Sequence, residues 1–408
     1  MNNRIHTTKS NGYSALLGAA LLFGFMPILV NMLMPYASDT TIILGRYVIS
    51  TITLLFCIPI TRMIRESKNR DDNSNKADRS FFATLMNSIR IENRRDRMYA
   101  YLSGVFLGAY AFAFIRSLDV HGSAHTLIWT YTSLILTTTV ADGFMWLHKH
   151  RRGIFHNKET TQTEQISKGG VLKAVFSILI LFVGLIFSEQ WDWQNFSILS
   201  ILSGGISWGA LSGILFGLRA VLNKVVVGKE EYKTVTDENG FVHGKEEVVL
   251  LHEQFATALV VLFVTVATAF IPNGTFQELF HFGFSLENTS IVTFLLRIIM
   301  LGAICTAFAN ISYFKGLAAA RDASTAKTIT VSEIIFGLLV LDAFAVESMI
   351  LTQFIGTLLI VVAIGVKADF FLGLYLKLKP IKCDKRDGRV EDSTTVSNVY
   401  ISSEHQWS

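Results

Sequence analysis

The chain has 408 residues, 51% of them hydrophobic and 17% charged, with 31 Phe and a formal net charge of +4; its mean hydropathy is +0.43. Soluble domains run nearer a quarter charged, and the apolar residues here fall in blocks long enough to cross about 30 Å of hydrocarbon. This excludes a soluble Rossmann or barrel enzyme. Three cysteines, two in apolar blocks and one in a basic tail (Cys57, Cys305 and Cys383), exclude a disulfide scaffold.

In chain order the blocks predict ten spans, at 14–35, 40–61, 99–116, 123–147, 171–188, 202–223, 251–271, 291–314, 323–342 and 349–372. The first is too long for a signal-peptide core and is followed at once by a second, so it is kept as a span. Lys and Arg set the orientation. Of the 36, 31 fall before span 1, in 61–98, 148–173, 224–250 and 315–321, or from Lys367 onward. The alternate loops 36–39, 188–201, 272–290 and 343–348 carry none. Ten spans with this bias place both termini in the cytoplasm, with the plasma (inner) membrane as the expected location.

The loops read as connectors. Trp191 and Trp193 sit at the outer interface, where amphipathic rings anchor. Sequons at Asn195, Asn273 and Asn288 all lie in expected outer loops. On the inner side, Phe81, Phe82, Leu85, Met86 and Ile89 recur at helical spacing opposite Arg90, Arg94 and Arg95, the pattern of an amphipathic helix on the leaflet. Residues 231–247 alternate around Asp237-Glu238-Asn239-Gly240, predicting a small hairpin. The chain divides as 1–188, with inner loops 62–98 and 148–170; 202–372, with inner loop 224–250; and a polar tail, 373–408.

The two large parts resemble each other. Residues 102–118 lie over 301–317 at a constant offset of 199: Leu102 meets Leu301, Phe114 meets Tyr313, and Arg116 meets Lys315. The register continues into the next span, where Ala124, Thr126 and Ser133 meet Ala323, Thr325 and Ser332. Phe23-Gly24 likewise matches Phe216-Gly217. Five spans per half is odd, so the second copy enters the membrane inverted, an arrangement typical of secondary transporters with a midplane site. The expected fold is an all-α polytopic membrane protein of ten transmembrane helices as two inverted five-helix repeats.

The order of features from 301 to 366 resembles the second repeat of the EamA-like branch of the drug/metabolite transporter superfamily. A small-residue helix ends in an aromatic-rich turn, Leu301 to Leu317. A Ser/Thr-rich helix with Ser332-Glu333 follows, then Glu347, Gln353, Gly356 and Gly365. Gly45-Arg46-Tyr47 matches the family's early Arg in span 2. The resemblance covers nearly all of 14–366. It departs at Ile334, where the family often has Pro, and at Lys327, which is not a general family feature.

Charged side chains inside a span are costly, about 2.5–3.5 kcal/mol each on insertion scales, and usually face a cavity or a partner. Glu333 is the deepest acid in span 9, read as a coupling-proton site or a partner for a substrate ammonium, against a plain helix–helix strut. Lys327 and Thr330 share its span, and an unbroken helix puts Lys327 and Glu333 120° apart on one wall. Lys327 either meets an anionic group or snorkels to the inner surface. Arg46 either grips a carboxylate or snorkels outward, and Arg297 reads as snorkelling. His125 and Trp129 are i,i+4 neighbours offered as an aromatic wall. Asn310 is a path-lining or helix-bridging amide. His121 and His125 have ligand spacing but no third ligand beyond Asp119, so no metal is expected, nor any cofactor.

No Walker A loop or hydrolase motif is present, so an enzyme or ATP-driven pump is not expected. The expected function is secondary active or facilitative transport of small polar organic metabolites, amino acids or related metabolites foremost, outward and by alternating access. The expected partners are the solute, the bilayer and protons as a candidate coupling ion, with no nucleic acid. The alternatives are efflux of lipophilic cations or drugs, and a lipid flippase or non-transporting membrane scaffold.

Overall fold

The computed structural model describes residues 2–68, 90–156, 168–188, 206–229, 232, 235–236, 242–243, 246–270, 282–283, 291–320, 323–343 and 351–367. Helices dominate them: α1 (Asn2–Gly24), α2 (Met26–Asn31), α3 (Asp39–Lys68), α4 (Arg94–His156), α5 (Lys168–Ser188) and α6 (Ile206–Val227) come first. A two-stranded hairpin, β1 (Val235–Thr236) and β2 (Val242–His243), pairs antiparallel with Val235 opposite His243, within the segment expected to form one. Then come α7 (Glu246–Phe270) and α8 (Ile291–Ile299). The latter runs through a π-helical stretch, Met300–Phe308, into α9 (Ala309–Ala319). Finally come α10 (Ala323–Thr330), α11 (Glu333–Ala343) and α12 (Leu351–Lys367).

Among the described residues, six helical stretches are long and apolar enough to cross a membrane: Gly12–Val30, Asp39–Ile60, Arg94–Ser117, Trp208–Val227, Glu246–Thr268 and Ile291–Ala319. Their outward faces carry bare apolar side chains, among them Phe56, Phe176, Phe263 and Phe354. A monomer in water does not keep such a surface, and lipid accepts it. The chain is thus an all-helical membrane protein. The other four expected spans fall short of the same standard for visible reasons. Apolar parts of α5 and α12 run only over Val175–Gly184 and Phe354–Ala363. Expected span 9 is cut in two at Val331–Ser332. Expected span 4 is the Thr-rich second limb of α4.

That limb corrects one expectation. A turn is expected after Arg116, but helix continues through all 63 residues of α4. The chain nevertheless reverses there. Thr126 Oγ1 donates to Ser117 Oγ at 2.8 Å, whereas nine residues of straight helix would separate them by about 13.5 Å. The reversal lets both limbs pack on their neighbours, the second against α6 and the first against α7.

Small residues set the close approaches, as they do wherever lipid supplies no hydrophobic drive between helices. A Cβ built at Gly184 of α5 would lie 3.0 Å from the Gly356 carbonyl of α12, and Ser177 donates to the Ala363 carbonyl of α12 at 2.8 Å. Trp191, Trp193, the three sequons, residues 81–89 and the tail from 373 lie outside the described residues.

Candidate functional site

Two interrupted helices meet at the centre of the bundle. The first breaks at Phe25, between α1 and α2, because Pro27 in the first turn of α2 has no N–H to donate backward. The second breaks at Val331–Ser332, between α10 and α11. Here Ser332 N donates to Ile329 O at 3.1 Å and Ile334 N to Val331 O at 3.0 Å, the shorter i→i−3 pattern. Hydroxyls reinforce the break: Thr330 Oγ1 donates to Lys327 O at 2.9 Å and Ser332 Oγ to Ile329 O at 2.7 Å, competing for helix carbonyls. The break ends the unbroken-helix reading of span 9, so the expected 120° relation between Lys327 and Glu333 does not hold. Lys327 falls in the last turn of α10 and Glu333 in the first turn of α11. Each half-helix dipole favours the charge it has received.

The two breaks touch. A Cβ built at Gly24 would lie 2.9 Å from the Gly337 amide nitrogen and 3.1 Å from the Glu333 carbonyl oxygen, so only glycine allows this crossing. Beside it lies a small cavity walled by Phe23 and Met26 from the first break, Glu333 from the second, Arg46 from α3, Leu107 and Tyr110 from α4, Phe216 and Arg219 from α6, and Asn310 from α9. It has room for about one water molecule.

Arg46 is held at one nitrogen only. Its Nε donates to Thr306 Oγ1 at 2.7 Å, and its guanidinium lies 5.1 Å from the Tyr47 ring centroid. Thr306 reaches this position because the π-helical turn carries it, and its hydroxyl donates back to Leu301 O at 2.7 Å. π-turns of this kind collect at functional sites. The fork end of Arg46 and the carboxylate of Glu333 form no ion pair among the described residues, although both wall the cavity. The site therefore holds one guanidinium and one carboxylate apart.

Arg219 is satisfied from the protein. Its Nε and Nη2 donate to Glu253 Oε1 and Oε2 at 2.6 and 3.0 Å, and Nη2 also to Asn310 Oδ1 at 2.8 Å. Glu253 further accepts from Asn223 Nδ2 at 2.9 Å and from Ser103 Oγ at 2.5 Å. Asn310 closes the chain by donating to Thr306 O at 2.8 Å. The Arg219 and Glu253 side chains are 1% and 0% exposed, so this is a buried ion pair with its remaining lone pairs filled. It links α4, α6, α7 and α9 beneath the cavity. Sequence reasoning placed Arg219 inside a span but gave it no partner, and did not single out Glu253. The available signal was Arg219 and Asn223 at i,i+4, two polar residues on one face of an otherwise apolar helix.

The remaining expected site residues separate. Arg46, Asn310 and Glu333 wall the cavity. Lys327 does not; it is buried behind Phe216, its Nζ 3.5 Å from that ring's centroid and 4.2 Å from that of Tyr313. Thr330 is buried and closes the turn described above. Trp129 packs toward Gly209 of α6, away from the cavity wall. The side chains of His125 and His121 lie outside the described residues. Arg297 donates to Met32 O at 2.9 Å and stands over Tyr36, tying α8 to the end of α2.

No family model matches the chain, and no curated protein matches it. Eighteen solved chains do. One, a crystal structure of a protein, is similar to this chain at a TM-score of 0.54 and 14% identity, over 90% of this chain and 99% of its own length. At that identity the likeness shows the fold alone.

Proposed function

We propose that the chain is a secondary transporter of small polar organic metabolites, amino acids or related compounds foremost, that works by alternating access. The observation that carries the reading is the crossing of two interrupted helices at a closed cavity that holds Arg46 and Glu333 apart. Broken helices at the interface of two repeats are where such carriers bind their solutes. Arg46 would take a carboxylate through its free fork. Glu333, at the start of α11, would take an ammonium group or the coupling proton. Ten spans in two inverted halves, both termini in the cytoplasm, a place in the plasma membrane and kinship with the EamA-like branch all belong to this reading.

Paired contacts support the two halves. Residues of the first span correspond to those of the sixth at an offset of 193, and residues of the later spans at 199. A Cβ at Gly24 would meet Phe336 Cβ at 2.9 Å and Glu333 O at 3.1 Å. At the corresponding Gly217 it would meet Thr137 Cβ at 2.9 Å and Leu134 O at 3.2 Å. Thr137 and Leu134 are the counterparts of Phe336 and Glu333. A second couple behaves alike: Gly316 packs on Leu16, and their counterparts Ser117 and Gly209 pack on each other. Two walls of the cavity, Phe23 with Phe216 and Met26 with Arg219, are also counterparts, which puts it on the boundary of the halves.

The test is counterflow into proteoliposomes preloaded with pooled unlabelled amino acids and organic acids, with labelled members tried singly and an imposed pH gradient as a second arm. Saturable uptake of one class, lost in Glu333→Gln and in Arg46→Met, is the expected result. Undiminished uptake by both variants sinks the site, and no uptake of any metabolite sinks the transport reading.

A further inference from the structure

The walls of the cavity leave one buried charge unused. Lys327 is 1% exposed, and among the described residues no carboxylate pairs with it. Its ammonium instead lies between two rings, over Phe216 at 3.5 Å and over Tyr313 at 4.2 Å. The other face of Phe216 is also taken. Tyr110 stacks on it with ring centroids 4.3 Å apart and planes 11° from parallel. No nitrogen fits between rings stacked that closely, so Lys327 and Tyr110 hold opposite faces. Two rings converging on one ammonium make half of an aromatic cage, the arrangement by which proteins recognise quaternary ammonium ligands, and its attraction is strongest when water is excluded. The cage adjoins the cavity. Phe216 walls both, and Tyr313 stands one helical turn beyond the cavity residue Asn310 on α9.

We propose that Lys327 is a specificity-determining residue: its tethered ammonium fills the one aromatic cation site beside the cavity, among the described residues, and so excludes organic cations from it. The proposal deepens the transport reading, since it takes the cavity as the solute's place. It separates a carrier of zwitterionic or anionic metabolites from one of lipophilic cations built on the same fold. The Arg219 guanidinium, 5.1 Å from the Phe216 centroid and 5.7 Å from that of Tyr313, adds to the exclusion by supplying a second positive charge. Only the pairing of Arg219 with Glu253 keeps the neighbourhood from repelling Lys327 itself.

The experiment is equilibrium binding of labelled tetramethylammonium to the purified full chain in detergent, with thermal unfolding recorded for each variant. Wild type and Lys327→Arg are expected to show no saturable binding. Lys327→Ala, which empties the cage and its approach, is expected to gain binding at least about tenfold tighter than wild type. The gain should vanish again in Lys327→Ala/Phe216→Leu. Lys327→Gln, smaller in its loss of packing, serves in the same way where the alanine variant does not fold. Wild type binding the probe as tightly as the variants overturns the proposal, as does a folded variant that gains nothing. Because binding is read rather than flux, failure of counterflow by the wild-type chain would strike the transport reading and leave this difference standing.

Discussion

Lys229, two residues beyond α6, gives both oxygens of Asp96 a hydrogen bond from one ammonium, at 2.5 and 2.7 Å. Asp96 lies in the first turn of α4, where the helix dipole favours it, and its side chain is fully buried while that of Lys229 is 39% exposed. Lys224, one turn earlier, donates to the carbonyls of Leu317, Ala318 and Ala320 at the end of α9. Lys315 of α9 meets Glu247 of α7 at 3.2 Å. Lysines thus fasten four helix ends at one mouth of the bundle. The opposite end is fastened by Ser38 and Thr41 on the Gly283 main chain.

A double-mutant cycle on Asp96→Ala and Lys229→Ala is expected to return a coupling of about 1 kcal/mol, kept low by the solvent that reaches Lys229. Thermal unfolding in detergent measures it. Strict additivity of the two losses would mean that the contact holds nothing.

Removing one member of the Arg219–Glu253 pair leaves the other charged and desolvated. Glu253→Gln is expected to cost about 3–5 kcal/mol. Arg219→Met/Glu253→Met, which removes both charges, should recover much of that loss. A double variant no more stable than the single one would show that the charges contribute more than their burial costs.

Gly24→Ala places a methyl group 2.9 Å from Phe336 Cβ and from the Gly337 nitrogen, and is expected to destabilise by about 1–3 kcal/mol. Gly18→Ala, where a Cβ meets nothing within 4 Å, is the control and should be neutral or slightly stabilising. Equal melting temperatures for the two variants would count against the close crossing.

Thr306→Val removes the only side-chain acceptor that aims Arg46, among the described residues. Stability should fall by about 1 kcal/mol, whereas the KM of the counterflow substrate should rise about tenfold as the guanidinium loses its orientation. A change in maximal rate alone would point to a different role for Arg46.

Much of this was legible in advance, and the misses have physical causes. Helix placement follows from apolar blocks, because the bilayer fixes their length. Arg46, Asn310 and Glu333 were visible because polar groups in apolar helices are costly and therefore few. Glu253 was hidden by a boundary. The apolar block begins at 251, which makes Glu253 look like an interfacial residue, but α7 starts at Glu246 and carries it two turns inside. The break at Val331–Ser332 was hidden by chemistry. No Pro or Gly marks it, and its cause is hydroxyl competition from Thr330 and Ser332. The place of Lys327 follows from that break, since a helix that restarts at Glu333 no longer turns the two charges toward a common wall.

The π-helical stretch has a consequence for how this chain tolerates change. Each wide turn there stores one residue more than an α-helix needs, so Met300–Phe308 acts as a spacer in rotation rather than in length. Losing a single residue from it would turn everything that follows by about 100°. Asn310 would swing off Arg219, and Tyr313 would leave Lys327, while the apolar surface of the helix stayed long enough for the bilayer. Insertions and deletions in this helix are therefore felt as a change of what the cavity contains before they are felt as a loss of fold.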